Sequence, residues 1–97
     1  MITGITEEGF KYKISEHIAD DYRVLNLLNE SMHTTDDMAA LSSGLELPKL
    51  VFGEKQLNKY MDFLTKKDGY PSMQKVLKAT MNVFQSAEKE SDQVKNS

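Results

Sequence analysis

The sequence predicts a mainly α fold in which a short N-terminal β-hairpin packs on a small bundle of four to five helices. Three observations carry that prediction. Phe10, Tyr12 and Ile14 alternate with Lys11 and Lys13, the two-residue period of a half-buried strand, and residues 2–5 lie before them across the turn Thr6-Glu7-Glu8-Gly9. From Ile18 onward apolar residues recur three and four apart, the period of a helix with one buried face. Gly44, Gly53, Gly69 and Pro71 then divide the chain into helices of ordinary length.

Each element has a local cause. Gly9 supplies positive φ in the hairpin turn without steric cost. Two strands alone are marginal in water, so the hairpin must rest on helix or pair with another chain. Ser15 is placed to cap a first helix over 16–31, whose stripe is Ile18, Tyr22, Leu25, Leu28 and Met32, widened by Val24 and Leu27. Met32-His33-Thr34 reads as a turn. Thr34 or Thr35 caps a second helix through Ser43, with Asp36 and Asp37 in its first turn, Met38 and Leu41 on its buried edge and Gly44 ending it. Pro48 to Phe52 reads as one helical turn or as extended chain. Gly53 breaks the chain before a helix over 54–67, which buries Leu57, Tyr60, Met61 and Leu64; Lys66 and Lys67 lie at its negative end and Gly69 stops it. Pro71 opens a last helix over 72–88, with Met73, Val76, Leu77, Thr80, Val83, Phe84 and Ala87 as its stripe. Residues 1–88 form one domain with Tyr22, Leu25, Leu28, Leu57, Met61, Leu64, Leu77 and Phe84 in one core. Residues 89–97 are a polar tail with almost nothing to bury, expected to be flexible.

Composition narrows the function. The chain of 97 residues carries 12 Lys and Arg against 15 Asp and Glu, a net charge of −3, which disfavours a nucleic-acid binder with its usual basic face. It has no cysteine, so disulfide frameworks, thiol nucleophiles and Cys-rich zinc sites are excluded. No basic-then-apolar leader opens it, and no apolar run approaches the roughly 20 residues that cross a bilayer. No membrane association is expected.

A catalytic inventory comes back empty. His17 and His33 lack the i, i+4 partner or Cys ligands that zinc requires. Asp20-Asp21 and Asp36-Asp37 are adjacent pairs, and neighbouring helical side chains point about 100° apart, so neither pair faces one substrate; compensation of the helix dipole explains both. No nucleophile elbow or phosphate-cradling glycine loop is present. Lys66 and Lys67, with Tyr60 and Tyr70 nearby, read as dipole partners rather than a nucleic-acid surface. The expectation is a non-enzymatic protein without cofactor or metal. What remains is apolar. There are six methionines, adaptable side chains that suit partner surfaces as well as cores, and Met32 is the one expected in solvent. The crowded segment Leu45–Phe52 offers Leu47, Leu50, Val51 and Phe52 as candidate partner-binding residues, with closure of the core as the competing role.

The opening Ile2-Thr3-Gly4-Ile5, the later Gly9-Phe10-Lys11-Tyr12-Lys13-Ile14, Asp20-Asp21-Tyr22 with its Leu-rich helix, Leu47-Pro48-Lys49-Leu50, Gly53-Glu54-Lys55 and the closing Phe84-Gln85-Ser86-Ala87 stand in an order that resembles tail assembly chaperones of long-tailed bacteriophages, over residues 2–87. The resemblance lies in the order and size of the elements. It implies a protein of the cytoplasm of a bacterial host. Such a protein binds the tape-measure protein, with the tail-tube protein and self-association as further contacts, and keeps the tape-measure protein soluble while the tail tube assembles. The family carries no catalytic residues. The competing reading is a small phage or prophage regulator that binds nucleic acid or a host transcription protein.

Overall fold

Strands β1 (Ile2–Ile5) and β2 (Lys11–Ile14) pair antiparallel, with Ile2 opposite Ile14 and Ile5 opposite Lys11. In the turn, Thr6 N–H donates to the Phe10 carbonyl at 2.9 Å, Gly9 N–H to the Thr6 carbonyl at 3.0 Å, and Phe10 N–H to the Thr6 hydroxyl at 3.1 Å. Gly9 has φ 104°, as the turn requires. Gly4 lies opposite Tyr12, and a Cβ there would stand 2.3 Å from the Tyr12 hydroxyl. Only glycine lets that ring cross the strand into the core.

This computed structural model describes residues 1–96, with the side chains of 90–96 left out. Among the described residues there are four α-helices: α1 (Tyr22–His33), α2 (Asp37–Phe52), α3 (Glu54–Asp68) and α4 (Met73–Asn96). The last helix thus passes the boundary expected at Glu88. The flexibility expected of the tail at 89–97 lies outside what is described.

The helical starts differ from the sequence reading for a local reason. Asp21, not Ser15, caps α1: its carboxylate accepts from Arg23 N–H at 2.9 Å. The guanidinium of Arg23 also bonds that carboxylate, which holds it below the usual Asp range. Ser15 instead closes a local turn on His17 N–H, and Ile18–Asp20 forms a 3-10 turn ahead of α1. Asp36 caps α2 by accepting from Met38 N–H at 3.0 Å, while Thr34 bonds Asp36 N–H. Asp and Ser are about equally good caps, so it is where α1 and α2 begin, and not capping strength, that selects Asp21 over Ser15.

The larger correction is α2. Gly44 was expected to end a short helix and Pro48 to start a separate turn; both lie inside one continuous helix. Proline lacks the N–H that would bond the Gly44 carbonyl, and its ring crowds that carbonyl, so local preference opposes this helix. Tertiary burial overrides it. Ser43, Gly44, Leu47, Pro48, Val51 and Phe52 are all buried, and α2 touches α1, α3, α4 and β2. It is the central element. Downstream, Gly53 (φ 81°) turns the chain into α3 and Gly69 (φ 90°) ends it, as read from sequence.

The core is also partly different. Leu57, Leu64 and Phe84 are buried as expected, while Leu28, Met61 and Leu77 are only half-buried. Tyr22 is 79% exposed and Leu25 41%, against complete burial of Val24. Helix α1 is therefore turned so that Val24, Leu27, Leu28 and Ser31 face inward. Around the fully buried Tyr60, aromatic rings from three elements meet: Phe10 at 4.9 Å and Phe52 at 5.6 Å between centroids, with Tyr12 edge-on to Phe52 at 6.1 Å. Edge and offset contacts of this kind add to the apolar burial. The Tyr60 hydroxyl bonds the Glu8 carboxylate and so fastens the turn of the hairpin to α3. Burial, followed by that carboxylate, pushes the Tyr60 phenol well above its usual pKa.

Candidate partner-binding surface

The molecule measures 44 × 33 × 19 Å. Helices with side chains are about 10–12 Å across, so the short dimension holds barely two layers. Each helix keeps one face in solvent, and on two of them that face is apolar.

On α2, Met38, Leu41 and Leu45 follow at i, i+3 and i+7 and are 71%, 43% and 52% exposed. Met38 and Leu41 were expected on the buried edge of this helix; that edge instead carries Ala39, Ala40, Ser43 and Gly44, whose small side chains let neighbouring helices approach. The strip ends at a groove of about 200 Å³ between α2, α3 and the start of α4. Gly44, Leu45 and Pro48 form one wall, Leu57 and Met61 the second, and Pro71, Met73 and Leu77 the third; Lys49 is the charged group at its edge. On α1, Tyr22, Leu25 and Met32 also stand in solvent, Met32 as expected.

The candidate residues named from sequence fall elsewhere. Leu47, Val51 and Phe52 are buried in the core, and Leu50 is half-buried against it. Leu47, Val51 and Phe52 therefore close the core between α2 and its neighbours, and Leu50 keeps part of its surface in solvent. Of the crowded segment, Leu45 and Pro48 reach the groove. The signal for the strip was present as the 38, 41, 45 spacing, but Met38 and Leu41 were assigned to a buried helix edge and Leu45 to a separate segment beyond Gly44.

His17 and His33 are both exposed, and among the described residues no three His, Cys, Asp or Glu side chains gather as metal ligands. Asp20 is exposed, Asp21 and Asp36 are caps, and Asp37 lies in the first turn of α2, so the acidic pairs serve helix ends. No helix among the described residues is long and apolar enough to cross a membrane. No protein-family model, curated protein or solved structure matches the chain.

Proposed function

We propose that this chain is a phage tail assembly chaperone, a non-enzymatic protein that binds the tape-measure protein and keeps it soluble during tail-tube assembly. The observation that supports this reading is the exposed apolar strip Met38, Leu41 and Leu45 running into the groove that Gly44 and Pro48 help to line. Its volume is below the roughly 300–1,000 Å³ of small-molecule sites and suits one or two aliphatic side chains. A partner helix laid along α2 would place i, i+3, i+4 and i+7 anchors on the strip. A long amphipathic chain presents such a stripe at every few turns, so many copies of a small protein can cover it. On this reading the protein works in the cytoplasm of the bacterial host, and contact with the tail-tube protein or with further copies of itself is secondary.

The test is co-expression with a fragment of the tape-measure protein. Wild-type protein keeps the fragment soluble and co-purifies with it. Leu41→Glu with Leu45→Glu, both at exposed sites, removes co-purification and leaves the melting temperature unchanged. Binding to duplex DNA with no effect on the fragment would overturn the reading in favour of a regulator.

A further inference from the structure

A second surface lies on the other side of α3. The open groove between β2 and α3 has a volume of about 470 Å³ and is lined by Lys11, Lys13, Lys55 and Lys59 over a floor of Phe10 and Tyr12. No Asp or Glu lines it. That is notable in a chain whose acids outnumber its bases by 15 to 12. Lys75, Lys78 and Lys49 pair with Asp68, Glu7 and Glu46, whereas none of the four groove lysines is in an ion pair among the described residues. Lys59 stands two residues from both Leu57 and Met61, about 200° around the helix, so the apolar groove and the lysine groove occupy opposite sides of α3.

The geometry is fixed by one side chain. Gln56 accepts from Lys13 N–H at 2.8 Å and donates to the Lys13 carbonyl at 2.7 Å. Its amide thus occupies a rung of the β2 edge as a neighbouring strand would, and sets the spacing of the groove walls. Because Thr6 N–H bonds the Phe10 carbonyl and both backbone groups of Lys13 turn to Gln56, Ile5–Lys11 and Thr3–Lys13 are the non-bonded pairs of the ladder. Lys11, like Lys13, therefore directs its N–H and C=O away from β1. Its rung has no partner among the described residues.

From these features we propose that the groove between β2 and α3 docks an extended, acidic segment of another polypeptide. The lysines complement its carboxylates, and the Lys11 rung offers the donor and acceptor that a second backbone answers. A phosphodiester chain answers the lysines but carries no regular donor for the Lys11 carbonyl. The aromatic rings that would stack bases are already engaged, Tyr12 with Phe52 and Phe10 with Tyr60. The net negative charge of the protein also repels a long polyanion, whereas a short segment within a Debye length of about 8–10 Å feels chiefly the groove.

A fluorescein-labelled octapeptide of alternating Glu and Thr tests this. In low salt it should bind, shift the backbone amide resonances of Lys11 and Lys13, and lose affinity as salt rises. Lys55→Glu with Lys59→Glu should weaken binding by about tenfold or more without altering folding. Compared in about 0.15 M salt, Lys49→Glu with Lys89→Glu makes the same change in net charge at residues outside the groove lining and should leave affinity within about twofold. Absence of peptide binding in low salt, equal loss in the two double variants, or tighter binding of a thymidine oligonucleotide than of the peptide would each overturn the proposal.

Discussion

The orientation of α1 can be decided by two substitutions. Val24 is completely buried and Leu25 is 41% exposed, although leucine is the larger and more apolar side chain. Val24→Ala removes two methyl-sized groups. At about 0.8 kcal/mol per group this forfeits about 1.6 kcal/mol of transfer free energy. The cavity left between α1 and its neighbours adds to it, for a total of about 2–3 kcal/mol. In a domain of this size each kcal/mol is worth about 4–8 °C, so the melting temperature should fall by about 10–20 °C. Leu25→Ala removes a partly solvated side chain and puts the best helix former in its place, so its net cost should be under about 1 kcal/mol. Thermal and urea unfolding followed by circular dichroism measure both, with equal urea slopes as the check that the unfolded state is unchanged. The reasoning is refuted if Leu25→Ala is the more destabilising of the two. That result would turn α1 back to the leucine-in orientation, and would remove Tyr22 and Leu25 from the exposed surface.

Three further outcomes follow from the same geometry. Gly44→Ala should stabilise the protein by about 0.5–1 kcal/mol, because Gly44 is inside a helix and an added Cβ would meet the mobile ends of Met73 and Leu77 at 3.5–3.8 Å, ordinary contact distances; a lowered melting temperature would mean that the α2–α4 packing cannot admit a methyl group. Tyr60→Phe should cost about 1–3 kcal/mol, since it removes the bond to the Glu8 carboxylate from a fully buried position. The Tyr60 phenol is raised in the folded state, so its stabilisation is complete below the unfolded value of about 10 and is lost as pH rises from there toward the folded value; the alkaline fall in urea midpoint should flatten in Tyr60→Phe. Gln56→Ala should free both backbone groups of Lys13 and speed exchange of that amide, with a stability loss of about 1 kcal/mol, and unchanged exchange would deny the clamp between β2 and α3.

Local signals with a single competitor were legible. The alternation of Phe10, Tyr12 and Ile14, the positive-φ turn at Gly9 and the stop at Gly69 all lie where backbone sterics leave one good solution. Where two local solutions competed, sequence reasoning chose wrongly. Ser15 and Asp21 are both capping residues, and the choice depended on where α1 could pack. Gly44 and Pro48 are both helix breakers, yet burial of Leu47, Val51 and Phe52 holds α2 together through them. The lysine groove was legible only in part. Lys11 and Lys13 belong to an evident strand, but nothing in the sequence brings Lys55 and Lys59 beside them until the Gln56 bond to Lys13 sets the register of α3 against the hairpin.

The helical stripes expected inward but found in solvent have one cause. Tyr22, Leu25, Met38 and Leu41 were assigned inward because apolar residues at helical spacing usually face a core. In a molecule 19 Å thick there is not enough interior for every such stripe. The interior is filled by the aromatic cluster around Tyr60 and by Val24, Leu64 and Val83, so the remaining stripes stay in water. Leaving them there is unfavourable for the free protein, at about 25 cal/mol per Å² of apolar area. A polar residue at each of those positions would relieve that cost and leave the buried packing intact. On the proposed function, an apolar partner accounts for Met38, Leu41 and Leu45 standing on one exposed line of α2. That is why the predicted loss of tape-measure binding is placed on Leu41 and Leu45, while the buried Leu47, Val51 and Phe52 of the same helix should report on stability alone.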